Sequence, residues 1–161
     1  MEPLSALKRK LRHACREAFP RTVMSLSLSI DTETWGSDII DDLNFSYVAE
    51  GKTWEEVSVE DAAIADFTLA LTDEGVRAFL PAMLVGCLDT DSADVLLYGL
   101  PRFLDRLAPR ATEVFDAAQI ACVCLLLGGL SPLTADPHYD GFHAVWKGKW
   151  ESICERRLPP R

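Results

Sequence analysis

The sequence feature that most constrains the fold is a stretch in the C-terminal third that is apolar on nearly every side. Asp116 opens a predicted helix over residues 117–127, which the glycine pair 128–129 ends. A helix without a polar face has to be buried, because any exposed side would place apolar atoms in water. The apolar run 120–130 has eleven residues, whereas a membrane-spanning helix needs about 20. We therefore expect this helix at the centre of a protein that does not cross a membrane.

The other segments predict amphipathic helices. Residues 4–18 place leucine and alanine at helical spacing until Pro20 stops the helix. Residues suited to N-capping precede four further apolar stretches: Ser37, Ser58, Thr72 and Asp91. We predict an all-α, or mostly α, fold: an irregular bundle of about six or seven helices. It forms a single helical domain over residues 1–155, followed by a frayed tail at 156–161.

Residues 23–30 are the exception to the helical pattern. Met24, Leu26, Leu28 and Ile30 alternate with serines. A period of two predicts a half-buried strand, so we expect one short strand or extended segment here. A lone strand needs a partner, and no other segment has a matching pattern.

Five cysteines occur at irregular spacing: Cys15, Cys87, Cys122, Cys124 and Cys154. An odd number without a regular pattern does not make a disulfide framework. We expect all five to be buried, reduced thiols of a cytoplasmic protein. We also expect no signal peptide, because basic residues at 8–12 interrupt any apolar stretch near the N-terminus.

Charge is distributed unevenly along the chain, whose net charge is −9. Residues 1–22 carry a net +4, residues 31–94 a net −14, and residues 95–161 a net +1. So much negative charge repels nucleic acids and anionic membranes and attracts a basic protein surface. The alternative is that these acids are only solvated and keep the protein in solution.

Seven residues of the acidic region form the candidate partner-binding site. Trp35 lies among acidic residues, a composition typical of an interface anchor, although a tryptophan folded back onto the domain is equally consistent. The acids cluster around two predicted helix starts and a turn, where side chains are exposed: Asp38, Asp41, Asp42, Glu55, Glu56 and Glu60.

The sequence lacks the usual motifs for catalysis and cofactor binding. It has no G-x-S-x-G turn for a nucleophile and no glycine-rich phosphate loop. The densest group of possible metal ligands is Asp136, His138, Asp140 and His143. Its two histidines are five residues apart, rather than the four that place both on one helix face. We expect no catalytic residues, no metal and no cofactor.

Several short motifs follow one another in a characteristic order. They are Ala18-Phe19, Gly51-Lys52-Thr53-Trp54, Leu71-Thr72, Phe79-Leu80-Pro81-Ala82, Phe115 with Gln119, and Trp146 or Trp150. In this order, which spans about residues 4–155, the chain resembles a small uncharacterised family of bacterial cytosolic proteins. The family has no assigned activity and implies no catalytic residues. Small acidic proteins of this type resemble immunity proteins, which neutralise a toxin.

The sequence therefore favours a non-enzymatic acidic binding protein, of the immunity type, whose acidic face covers the basic active-site surface of a toxin. Two alternatives stay open. One is a cytosolic enzyme with its site in an internal helical pocket. The other is a structural or adaptor subunit that self-associates through its Leu and Trp faces. The oligomeric state is not predicted.

Overall fold

Short and long α-helices make up most of the described chain. The computed structural model describes residues 2–88, 94–130 and 140–157. The helices are α1 (Glu2–Ala18), α2 (Leu26–Ser29), α3 (Ser37–Asp42), α4 (Phe45–Val48), α5 (Val59–Ala63), α6 (Asp73–Gly86), α7 (Asp94–Leu107), α8 (Ala111–Val114), α9 (Ala117–Leu130), α10 (Asp140–Val145) and α11 (Glu151–Arg157). Three-residue 3-10 turns lie at Trp54–Glu56, Thr68–Ala70 and Ala108–Arg110, and a π-helical turn lies at Trp146–Trp150. The predicted all-α irregular bundle is confirmed. It has more than the expected six or seven helical segments, because several are single turns.

Helix α9 lies in the core, as its apolar composition predicts, and contacts α1, α10 and α11. It does not end at the glycine pair but continues through Gly128 and Gly129 to Leu130. A Cβ atom at Gly129 would lie 2.8 Å from both Cδ atoms of Leu7. This glycine therefore allows α1 to approach α9 closely, rather than stopping the helix.

Gln119 joins the start of α9 to the end of α1. Its backbone N donates to Asp116 Oδ1 at 2.8 Å, while its side-chain Oε1 accepts from Asp116 N at 3.0 Å. This reciprocal pairing satisfies two groups at the helix start. The Gln119 side-chain amide also donates to the Ala18 carbonyl at 3.2 Å. With Leu7 beside Gly129 at the other end, α1 and α9 run antiparallel.

The strand expected within residues 23–30 is not present. Residues 26–29 form the single helical turn α2, and only Ile30 makes an isolated antiparallel bridge, to Leu71. The serines explain the difference, because their side chains bond to nearby backbone: Ser25 Oγ accepts from Leu28 N, and Ser29 Oγ accepts from Ser25 N. Met24 and Ile30 are buried, whereas the expected inward-facing Leu26 and Leu28 are exposed.

Helix α6 contacts α2 and also belongs to the hydrophobic core. Thr72 is its N-cap, as predicted, and accepts from Gly75 N at 2.9 Å. The Thr72 hydroxyl also donates to the Leu28 carbonyl at 2.7 Å. The helix continues through Pro81, and almost all its side chains from Val76 onward are buried in a single hydrophobic cluster.

The C-terminal helices pack against α7. Trp150, fully buried, donates its indole N–H to the Leu104 carbonyl at 2.9 Å. Helix α11 continues to Arg157, so the first two residues of the predicted frayed tail are helical. The predicted N-cap Asp91 lies outside the described residues. Among the helices in the described ranges, none has the length and apolarity needed to cross a bilayer.

Candidate functional site

Helix α3 presents three carboxylates to solvent. Asp38, Asp41 and Asp42 are exposed, and the structure shows no ion pair or hydrogen bond for their side chains within the described ranges. Their spacing of three and four residues places Asp41 and Asp42 next to Asp38 on the helix surface. Like charges this close repel one another, so a cation bound beside them would lower the electrostatic energy of the three carboxylates.

The start of α3 differs from the prediction by one residue. The N-cap position is Gly36, not Ser37, and the backbone N–H groups of Ile39 and Ile40 both donate to the Gly36 carbonyl at 3.1 Å. Among residues 38–42 of α3, Ile40 alone is buried, and it packs the helix against the core. The neighbouring Ile39 is 49% exposed, between the carboxylates.

Asn44, just after α3, fixes where this helix lies. Its side-chain amide donates to the Ile64 carbonyl at 2.7 Å, and its backbone N donates to Asp66 Oδ1 at 2.7 Å. These bonds bring the end of α3 beside Ile64, which is 52% exposed. We call the exposed set Asp38, Ile39, Asp41, Asp42 and Ile64 the α3 surface.

Exposed apolar side chains are the feature that sequence reasoning missed. The large hydrophobic residues exposed in the described chain all lie between residues 23 and 69: Val23, Leu26, Leu28, Ile39, Tyr47, Ile64 and Leu69. One signal was available in the pair Ile39-Ile40, because adjacent residues of a helix point about 100° apart and a short surface helix need not bury both. Contiguous apolar patches rimmed by polar residues are typical of protein interfaces, whereas single exposed apolar side chains are common on any protein surface.

Trp35 is not a free anchor. Its side chain is partly buried and packs against the hydrophobic cluster, and its backbone N donates to the Asp31 carbonyl at 3.2 Å. Of the two interpretations of this tryptophan, the structure therefore supports the one in which it folds back onto the domain.

Glu55 is already paired within the molecule. Its carboxylate accepts from Arg16 Nε at 3.3 Å and from Arg21 Nη1 at 3.1 Å. The basic end of α1 thus neutralises part of the acidic region. Glu55 is less available to a partner than the carboxylates of α3.

Glu56 has a structural role in its own turn. It accepts from both the backbone N of Thr53, at 2.9 Å, and the Thr53 hydroxyl, at 3.1 Å. These bonds, the backbone one first, lower the pKa of the Glu56 carboxyl below its ordinary value. Trp54, in the same turn, is buried, with 4% of it exposed.

Glu60 is exposed in the first turn of α5, where the predicted N-cap is confirmed by a 3.1 Å bond from Asp61 N to Ser58 Oγ. Asp61 itself pairs with Lys52 at 3.6 Å. The seven candidate residues therefore fall into two groups. Asp38, Asp41 and Asp42 are exposed acids for whose side chains the structure shows no partner in the described chain, while Trp35, Glu55, Glu56 and Glu60 interact within the fold.

The suspected metal ligands do not form a site within the described chain. Residues 2–88, 94–130 and 140–157 contain no group of three or more His, Cys, Asp or Glu side chains that could hold a metal ion. Asp136 and His138 lie outside these ranges, and the Asp140 side chain is not described. The Nδ1 atom of His143 is buried without a hydrogen-bond partner.

A separate open groove of about 700 Å³ lies between the turn after α7 and the C-terminal helices. Its lining combines apolar side chains with hydroxyls and two cations: Ala108, Pro109, Thr112, Gly148, Lys149, Ser152, Ile153 and Arg156. Because proline has no N–H, Pro109 cannot donate to the Asp105 carbonyl four residues before it. Lys149 Nζ donates to that carbonyl oxygen instead, at 3.5 Å, and lies 3.3 Å from Asp105 Oδ1. The lining has no carboxylate or imidazole for acid–base catalysis.

The expectation of five reduced cysteines is wrong. Cys124 and Cys154 form a disulfide between α9 and α11, with their Cα atoms 5.9 Å apart. Cys15, Cys87 and Cys122 are free and buried. The sequence hid this pair because its two cysteines are 30 residues apart and meet only through helix packing. Disulfides persist mainly in oxidising compartments, so this bond counts against a reducing cytosol.

Comparison with known proteins found no matching family model, no similar curated protein and no similar solved structure. The resemblance to an immunity-type bacterial family therefore stays a prediction.

Proposed function

We propose that this protein is a non-enzymatic binding protein of the immunity type, which neutralises a toxin by covering its basic active-site surface. The observation that carries the proposal is the α3 surface. Three exposed carboxylates without partners in the described chain flank an exposed isoleucine. Charges of this kind speed the encounter with an oppositely charged protein, and apolar groups beside them supply area to bury after contact.

The internal ion pairs support this choice of surface. Glu55, Asp61 and Asp73 are each paired with a cation, at 3.1, 3.6 and 2.9 Å respectively. A carboxylate that is already paired contributes less to the field that steers a partner. The acids of α3 are therefore the first candidates for steering, with Ile39 and Ile64 as the contacts that slow dissociation.

The test is the association kinetics of the toxin-like protein encoded in the neighbouring reading frame, at two salt concentrations. The variant is Asp38→Lys, Asp41→Lys, Asp42→Lys. The matched control is Glu17→Lys, Glu74→Lys, Glu155→Lys, which reverses exposed acids elsewhere. Each variant moves the net charge from −9 to −3. We expect the α3 variant to slow association about tenfold or more at low salt and the control to slow it much less. Equal rates for both variants would contradict the proposal.

If the protein is instead an enzyme, the groove beside α11 is the candidate for its active site. It is an open surface groove, not the internal helical pocket that the sequence suggested. An Arg156→Ala substitution separates the two functions, because it alters the groove and leaves the α3 surface unchanged. We expect this variant to bind the toxin like the wild type. Self-association, the third possibility, predicts a dimer or larger species in light scattering at micromolar concentration.

The redox state of the cysteines in the cell tests the proposed compartment, the cytoplasm. Thiols trapped with iodoacetamide during lysis should include Cys124 and Cys154 if the protein resides in a reducing compartment. A Cys124–Cys154 bond in the trapped protein would place it in an oxidising compartment instead.

A further inference from the structure

Helices α1 and α9 run antiparallel in a register that two contacts define. The Gln119 side chain bonds to the Ala18 carbonyl near one end, and Leu7 covers Gly129 near the other. Cys15 lies three residues before Ala18 on α1, and Cys122 lies three residues after Gln119 on α9. The register thus places these two cysteines opposite each other.

The side chains confirm what the register implies. Cys15 and Cys122 are 0% and 2% exposed, and each thiol shifts the pKa of the other, which requires the two side chains to be neighbours. Residues two apart on a helix point about 200° apart. Cys122 can therefore face α1 while Cys124 faces α11, where it is bonded to Cys154. The third free thiol, Cys87, directly follows α6 and donates to the Leu84 carbonyl of that helix at 3.2 Å.

We propose that Cys15 and Cys122 are a second disulfide-forming pair. Oxidation of this pair by a low-molecular-weight disulfide such as oxidised glutathione cross-links α1 to α9. The central helix is then tied covalently on both faces, to α1 through Cys122 and to α11 through Cys124.

The reaction proceeds by two exchanges. The Cys122 thiolate attacks one sulfur of the oxidant, which breaks the oxidant's S–S bond and releases its first thiol after protonation. Cys15 then loses its proton, and its sulfur attacks the Cys122 sulfur and releases the second thiol. Two S–H bonds of the protein and one S–S bond of the oxidant become one protein disulfide and two small thiols. The neighbouring Cys15 thiol lowers the pKa of Cys122, whereas the contact with Cys122 and burial raise the pKa of Cys15. The exchange balances in the same way if Cys15 makes the first attack.

The experiment refolds the full chain in a buffer of reduced and oxidised glutathione, because refolding makes every thiol accessible to the oxidant. Peptides are then mapped by mass spectrometry without reduction. We expect a Cys15–Cys122 linked peptide beside the Cys124–Cys154 one. A link across so long a loop should raise the midpoint of thermal unfolding by about 10 °C over protein with the Cys124–Cys154 bond alone.

Matched variants assign the effect. Cys15→Ser and Cys122→Ser should each abolish the new link and the rise in midpoint, whereas Cys87→Ser should keep both. The proposal is overturned if Cys15 and Cys122 stay reduced in folded protein whose Cys124–Cys154 bond has closed, or if Cys15 links to Cys87. The wild-type peptide map decides between these outcomes even if a serine variant fails to fold.

Discussion

The carboxylate of Glu55 accepts a hydrogen bond from Arg21 at 3.1 Å, which joins the basic N-terminal segment to the acidic region of the same chain. Arg16 contacts the same carboxylate oxygen at 3.3 Å. The +4 and −14 blocks of the sequence are thus not two separate surfaces. Where they meet, charge is neutralised within the molecule, whereas the three carboxylates of α3 are exposed and the structure shows no partner for them in the described chain.

Replacing Glu55 tests how much this contact stabilises the fold. Glu55→Gln should lower the free energy of unfolding by no more than about 1 kcal/mol, because solvent-exposed ion pairs contribute little. The difference should shrink in high salt, which screens exposed charges. Urea unfolding at low and high salt measures it, with Glu50→Gln, an exposed acid outside the ion pairs described, as the control. A loss of several kcal/mol would mean that Glu55 supports the core.

Two glycine substitutions should have opposite effects on stability. In Gly75→Ala the new Cβ overlaps the Ser29 carbonyl oxygen, a backbone atom that cannot move without separating α2 from α6. We expect a loss of about 3 kcal/mol. In Gly128→Ala the nearest atom is Trp146 Cη2 at an ordinary 3.8 Å, so the better helix propensity of alanine should add up to about 1 kcal/mol. Thermal unfolding of both variants checks the pair, and equal effects would contradict the close approach of α2 to α6.

The turn at Thr53–Glu56 should respond to pH. The folded-state pKa of Glu56 is lowered by its bonds from Thr53, so its stabilising contribution is complete above the unfolded-state pKa. That contribution is lost as the pH falls through the folded-state pKa. In an NMR titration, Thr53→Val should move the pKa of Glu56 part of the way back, because the backbone donor remains. An unchanged pKa in this variant would show that the hydroxyl does not contribute.

The Cys124–Cys154 bond should stabilise the protein substantially. The bond closes a loop of about 30 residues, and loop-closure entropy predicts a loss of about 3–4 kcal/mol when it is removed. Cys124→Ala and the double variant Cys124→Ala, Cys154→Ala should lose similar amounts, since the bond is lost only once. Urea unfolding of these variants, and of wild type with dithiothreitol, measures the effect. If the double variant lost much more stability than Cys124→Ala alone, the packing of each side chain, rather than the bond, would supply the stability.

The features that the sequence determined by itself depend on residues close together in the chain. Thr72 caps α6 and Ser58 caps α5 through bonds to backbone groups three residues ahead. Gly51 adopts φ +79° at the turn after α4, a conformation that suits glycine. The burial of α9 follows from composition alone, because an all-apolar helix has no side to expose to water. These signals also fixed the all-α class.

Long-range packing decided the rest. In residues 23–30 the contact of α2 with α6, together with short-range serine bonds, outweighed the period of two. The glycine at position 129 lies where Leu7, more than 100 residues away in the chain, packs against α9. The candidate site divided in the same way. Sequence placed acids at positions 38, 41 and 42, but only the tertiary structure showed that Glu55 is paired and that Ile39 faces outward. Pairing and exposure depend on which distant segments meet, because a side chain's partners are set by the packing of helices and not by its neighbours in the chain.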